Sequence, residues 1–261
     1  MNTIALRNSE FSVIKRIVFN EIGITLNDTK KGMVQNRLYK RLKHYKLDSF
    51  SHYIKIVQLS KFEMSELLNS ISTNETYFFR EQVHFDFLFD LAKKSEYLRV
   101  WSAASSIGAE AYSIAMTLDN NLKEWDVVGS DINTHVLKIA KMGLYQLPML
   151  DKIPKLYQEK YCLLGRNMYE DKILIDRQLF SRMTFLENNL MQENIMLGKF
   201  DVIFIRNVFI YFKEETKKRV LHNILNNLKT GGYLIIGLTD VFKDREFKSL
   251  KYINNSIYKK V

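Results

Sequence analysis

From Leu98 onward, short apolar runs alternate with segments whose apolar residues recur at helical spacing, and this alternation restricts the fold more than any other feature. The runs are LRVWSAA, WDVVGSD, FDVIFIRN and YLIIGL, and helical patterns lie over about 110–122, 135–142 and 214–228. Strands apolar on both faces, joined by helices, form a parallel sheet covered on both sides, so the expected class is α/β with a doubly wound, Rossmann-like sheet. Between roughly 147 and 181 the alternation breaks, and KILIDRQLF reads as a strand with an irregular lead-in. This stretch is expected to be a small antiparallel β insertion. From about 10 to 69, Phe11, Ile14, Ile17 and Val18, then Leu38, Leu42 and Tyr45, keep helical spacing with no lasting strand alternation. The expected organisation is therefore an N-terminal all-helical domain over 1–72 and an α/β domain over 73–261.

Size and composition narrow the class further. A chain of 261 residues has room for a sizeable core, and 46% hydrophobic with 26% charged residues is ordinary for a globular protein. No window approaches the roughly 20 apolar residues that span a bilayer, so no direct membrane insertion is expected. The first residues lack the unbroken apolar stretch of a signal peptide. The single cysteine, Cys162, offers neither an intrachain disulfide nor a cluster for zinc. A cytoplasmic protein without a metal is the expectation.

The net charge of +10 would draw nucleic acid, an acidic membrane surface or an acidic protein alike. Its densest run is KKGMVQNRLYKRLKHYK, residues 30–46. Asn27 or Asp28 is placed to cap a helix whose apolar stripe holds Val34, Leu38 and Leu42, with Arg37, Lys40, Arg41 and Lys43 on another face. That face is either simply solvated or a docking surface for an acidic partner.

In an open parallel sheet, ligands lie beyond the carboxyl ends of the strands, so the residues after each apolar run are the ones to inspect. After LRVW comes SAASSIGAEAYS, small residues feeding a helix, where backbone can approach a ligand and helix amides can meet an anion; ordinary packing produces such a turn as well. Asp131 ends the second run, the position from which nucleotide-binding sheets accept ribose hydroxyls, and it is equally placed as an N-cap. Asn189 and Leu190 offer an amide and an apolar side chain for an adenine edge and face, or form a plain loop. Arg206 and Asn207 interrupt a run that otherwise reads as buried, so they are either structural hydrogen-bonders or site residues.

Taken together, NSISTNETYFFRE, RVWSAASSIGAEAYSIAMTL, GSDINTHVLKIAKMGLY, FDVIFIRNVFIYF and LKTGGYLIIGLTD resemble the chemotaxis-receptor methyltransferase family (CheR type) in content, order and spacing over nearly the whole chain. NET.FFR and RN..IYF are the most specific of these signatures. The resemblance implies a class I methyltransferase sheet and transfer of the methyl group of S-adenosylmethionine to receptor glutamate side chains, leaving S-adenosylhomocysteine. It implies that Arg80 and Tyr211 align the acceptor carboxylate. Asn74, Thr76, Arg80, Glu110, Asp131, Asn189, Leu190, Arg206 and Asn207 would form the cofactor pocket. Arg37, Lys40, Arg41 and Lys43 would meet the acidic methylation helices of membrane chemoreceptors, and the β insertion would take a receptor C-terminal tether peptide. The family reads close to STGEEPYS where this chain has Ser106–Ser113 as SIGAEAYS, and GHSE where this chain has GLTD.

Two other readings stand beside this one. A nucleic-acid methyltransferase would suit the charge, but the only prolines are Pro148 and Pro154, and Cys162 sits in an apolar stretch rather than on a proline-bearing loop. Nucleic acid is therefore not expected as a partner. The alternative within the family is a catalytically weak or inactive relative that holds cofactor or receptor and signals by association.

Overall fold

The computed structural model describes residues 4–240 and 248–261. Its first part is helical: α1 (Asn8–Ile22), α2 (Lys31–His44), α3 (Phe50–Leu59) and α4 (Lys61–Ile71). Each turns one apolar stripe inward. Ile14 and Val18 of α1, Val34, Leu38 and Leu42 of α2, Tyr53 and Val57 of α3 and Leu67 of α4 are almost completely buried in one cluster. The expected cap on α2 does not form. Asn27 and Asp28 lead into a single 3-10 turn, the Asn27 side chain accepts from Thr29 Oγ1 at 2.6 Å, and Lys30 stands at the N-terminus of α2 without a side-chain cap.

The second part opens with α5 (Val83–Ala92) and continues β1 (Tyr97–Ala103), α6 (Ala109–Asp119), β2 (Glu124–Asp131), α7 (Thr134–Met142), β3 (Leu144–Gln146), α8 (Lys155–Tyr161), β4 (Cys162–Leu164), β5 (Lys172–Ile175), β6 (Met183–Glu187), β7 (Phe200–Ile205), α9 (Glu214–Asn227), β8 (Leu228–Ile236), β9 (Leu250–Asn254) and β10 (Ile257–Lys260). Among the described residues the main sheet runs β6-β2-β1-β7-β8-β10-β9. The first five of these strands are parallel, and β10 and β9 close the edge antiparallel.

Side chains alternate between faces, yet both faces are apolar. Val100, Val202, Phe204 and Ile235 enter a core shared with α5, α6 and the insertion, whereas Trp101, Ile203, Ile205, Leu234 and Ile236 enter a core under α9. That arrangement is why these runs read as continuous apolar segments. The chain proceeds leftward from β1 to β2 and later returns to the right of β1 as β7, which makes the ends of β1 and β7 the switch point where a crevice opens.

The insertion is antiparallel, in the order β3-β5-β4, as expected for the stretch that broke the alternation. It starts earlier than its sequence boundary, because β3 begins at Leu144. The strand within KILIDRQLF is only Lys172–Ile175, and residues 177–182 form 3-10 turns capped by the Asp176 side chain, which accepts from Gln178 N at 2.9 Å.

Candidate active site

The carboxyl ends of β1, β2, β6 and β7, together with residues 22–33 and 71–80, enclose a pocket of about 480 Å³. After β1 the backbone is left-handed at Ala104, Ser106 and Gly108, with φ of 62°, 53° and 88°. Only glycine suits the last of these, where a Cβ would sit 2.9 Å from the Ala140 methyl. These turns direct Ser106 N at Asp131 and begin α6 with Glu110 in its first turn. Departures from the family pattern fall on packing: Ala109 and Ala111 are fully buried, and the Ile107 carbonyl accepts from Tyr145 Oη at 2.6 Å.

Asp131 is 7% exposed. Its Oδ2 accepts from Ser106 N and its Oδ1 from Asn133 N, both at 2.8 Å. Burial pushes its carboxyl above the usual range, against the pull of the amides of Asn133, Ser106 and Ile132. The helix it precedes is capped by another residue: Asn133 Oδ1 accepts from His135 N at 2.9 Å and Val136 N at 3.2 Å, so Asp131 is free of capping and faces the pocket.

Arg206 is the centre of a charged network. Its side chain is 2% exposed; Nη1 donates to Glu110 Oε2 at 2.9 Å, while Nη2 donates to the Arg80 carbonyl and lies 3.1 Å from Glu81 Oε2. Glu110 Oε1 also accepts from Ser102 Oγ at 2.7 Å. Glu81 accepts from Leu238 N at 3.0 Å and from Asn207 Nδ2 at 3.4 Å. Burial would raise the Glu81 carboxyl, but the Arg206 charge and these donors outweigh it and hold it below the ordinary range. Asn207, at φ 58°, donates its N–H to Asp240 Oδ2 at 2.7 Å. Asp240 belongs to GLTD, and a Cβ at Gly237 would come within 2.9 Å of the Asn207 nitrogen. Glu81 and Asp240 carry no role in the sequence-based reading. The signal for both was present: Arg206 and Asn207 interrupt a run that reads as buried and so demand partners, and the only acids in the signatures FFRE and GLTD are these two.

Asn74, Thr76, Arg80, Glu110, Asp131, Asn189, Leu190, Arg206, Asn207 and Tyr211 all line the pocket. Arg80 Nη1 donates to the Glu75 carbonyl at 3.2 Å, and the guanidinium lies 5.7 Å from the Tyr77 ring. Asn189, however, does not present its amide to a ligand. Its Nδ2 donates to the Glu21 carbonyl at 2.7 Å and its Oδ1 accepts from Met191 N at 3.0 Å, which ties the loop to the end of α1. The neighbouring Asn188 also lines the pocket, with a buried Nδ2 that finds no partner among the described residues, as does the buried Ser105 Oγ.

The four basic residues of α2 do not act as one face. Arg41 is bidentate on Glu63, through Nε at 2.8 Å and Nη2 at 2.5 Å, and lies 3.3 Å from Glu66. Arg37 Nη1 donates to the carbonyls of Ile71 at 2.8 Å and Ser72 at 3.1 Å. Both cations are thus spent inside the helical domain, on buried carboxylates and on the orphan carbonyls ending α4. Lys40 and Lys43 remain exposed.

The helical part also forms one wall of the pocket. Asn69 Nδ2 donates to Thr134 Oγ1 and Asn69 Oδ1 accepts from Thr134 N, both at 3.0 Å, while Thr25 N donates to the Tyr211 carbonyl at 3.0 Å beside an Ile24–Phe212 bridge.

Comparison with known proteins agrees with this architecture. Residues 74–257 match the family model described as CheR methyltransferase, SAM binding domain, and residues 9–72 match CheR methyltransferase, all-alpha domain. The chain is 37% identical to the chemotaxis protein methyltransferase of Escherichia coli over 93% of its length and 88% of the relative's. It is 36% identical to that of Salmonella typhimurium, covering 94% and 88%. To that of Borreliella burgdorferi it is 34% identical, covering 98% and 96%.

Proposed function

The chain belongs to the CheR methyltransferase family, and from that premise we propose that it methylates glutamate side chains of membrane chemoreceptors, with Arg80 and Tyr211 aligning the acceptor. It is an S-adenosylmethionine-dependent methyltransferase of chemotaxis, and in this reading its substrates are chemoreceptors. The residues present fit the cofactor. The pocket, of about 480 Å³, brings Asp131, Glu110 and Leu190 together in its lining, and beside them the buried Ser105 Oγ and Asn188 Nδ2 have no partner among the described residues. Asp131 would accept the ribose hydroxyls and Glu110 the ammonium of the methionine moiety, while Leu190 would pack on the adenine face.

When bound, the cofactor supplies a methyl group on a sulfonium, and the chain has little acid–base work left to do. A glutamate side chain, with an ordinary pKa of about 4.3, is anionic at neutral pH and needs no general base. What remains is alignment. The half-buried Arg80 guanidinium at the pocket mouth would hold the acceptor carboxylate bidentately and Tyr211 Oη would add a hydrogen bond, fixing one oxygen in line with the methyl. Arg206 would not take that part, because Glu81, Glu110 and the Arg80 carbonyl already occupy it.

The observation that carries this reading is that NET.FFR and RN..IYF, far apart in sequence, meet at one pocket over the switch point. Acidic receptor helices would approach over Lys40 and Lys43, and a receptor tether peptide would add to the β4 edge of the insertion, where Leu163 and Leu164 are exposed. The test is transfer of radiolabelled methyl from S-adenosylmethionine to receptor-containing membranes, with base-labile label expected for an ester. Binding of S-adenosylhomocysteine without any transfer would favour the non-catalytic alternative.

A further inference from the structure

A buried arginine needs a counter-charge, and Glu110 alone would supply one for Arg206. A second carboxylate is nevertheless present. Glu81 reaches the same Nη2 that donates to the carbonyl of its own neighbour, Arg80. One guanidinium nitrogen therefore grips two adjacent points of a single turn. Glu81 is itself held in left-handed backbone, φ 58°, with its carboxylate accepting from Leu238 N beyond β8. The Arg80 side chain, by contrast, has one hydrogen bond to the Glu75 carbonyl and one ring contact. Its direction is set mainly by its backbone.

We infer that Glu81 is a positioning residue: through Arg206 it fixes the main chain of Arg80, and so links the carboxylate clamp to Glu110 on the cofactor side. This rests on the methyltransferase reading above. Without the Glu81 charge, Nη2 keeps only the Arg80 carbonyl, the ion pair that fixes the guanidinium against this turn is lost, and the main chain of Arg80 is held less firmly. The clamp then spends less time at the acceptor geometry, which lowers turnover more than substrate binding.

A coupling cycle tests this. Glu81→Gln in the otherwise unchanged chain is expected to lower kcat at least tenfold, with receptor KM and S-adenosylhomocysteine affinity within about threefold. In an Arg80→Ala background the same substitution should cost less than threefold, because the group it positions is gone. Should the glutamine variant not fold, Glu81→Asp, which keeps the charge but retracts it, serves the same cycle with the same expected non-additivity. Equal losses in the two backgrounds would mean that Glu81 acts on the fold or the cofactor pocket instead, and no loss in the first would remove its role. An active wild-type chain with an additive cycle overturns this inference alone; a wild-type chain that binds S-adenosylhomocysteine but transfers no methyl overturns the methyltransferase reading with it.

Discussion

Single side chains in this pocket divide by whether their polar atoms are already spent. Asp131 is held by backbone amides yet faces the pocket, so Asp131→Ala is expected to weaken S-adenosylhomocysteine binding at least tenfold in calorimetry, the cost of unpaired ligand hydroxyls being about 1–3 kcal/mol. Asn189→Ala should cost much less affinity, since that amide bonds Glu21 and Met191. Arg80→Ala should lower methyl transfer about a hundredfold while leaving S-adenosylhomocysteine affinity within a few fold, and Tyr211→Phe should lose less. A full-rate Arg80→Ala enzyme would sink the alignment role. Asp131, Asn189, Leu190, Arg206 and Asn207 were legible because each stands at or just after the end of an apolar run, whereas Asn74, Thr76, Arg80 and Tyr211 came from the family resemblance. Which of their atoms are available was not, because a side chain such as Asn189 is captured by a carbonyl 168 positions away. Nothing in local spacing encodes that partner.

At the scale of elements, α2 and α5 make separable predictions. Arg41 serves Glu63, which is fully buried, so Arg41→Ala is expected to destabilise the protein by about 3 kcal/mol in denaturant titration. Reversing exposed Lys40 and Lys43 to Glu should leave stability within about 0.5 kcal/mol and raise receptor KM most at low salt. Kinetics identical to those of the wild type at both low and high salt would make the face merely solvated. The helical period found the apolar stripe of α2 correctly, but periodicity alone cannot tell a solvated cation from one folded back onto a neighbouring helix. On α5, His84 is fully buried, and its Nε2 donates to the Asn255 carbonyl at 2.7 Å. Burial, then the nearby Arg206 charge, lowers its pKa to about 4, although Asn255 and Glu81 pull the other way. The unfolded chain takes up this proton near pH 6.5 and the folded one only near 4. The contribution is therefore whole above about pH 6.5 and is lost as pH falls toward 4, up to about 3 kcal/mol. His84→Gln should show a shallower fall of Tm over that interval; parallel curves would refute the assignment.

For the whole molecule, the order of apolar runs specified the parallel sheet, its switch point and the separate helical cluster. It did not specify how the two parts meet, because that contact is made by polar groups such as Asn69, Thr134 and Glu21, which carry no periodic signal. The edge pair β9–β10 was likewise missed, since a short, largely exposed strand such as β9 has no apolar run to announce it. The helical part supplies Ile22, Ile24, Thr25, Leu26 and Met33 to the pocket wall. Residues 73–261 expressed alone should therefore bind S-adenosylhomocysteine at least tenfold more weakly than the full chain, a comparison open to calorimetry.

The Ile24–Phe212 bridge and the Thr25–Tyr211 hydrogen bond also bear on how such a chain can diverge. The two parts have separate cores, which ordinarily lets recombination trade one for another. Here the turn carrying Tyr211 is registered by backbone from the helical part, so a helical part exchanged between lineages arrives as a fragment of active site. The helical part and the turn carrying Tyr211 are thus inherited together, and a hybrid gene would have to restore that seam before selection had an intact pocket on which to act.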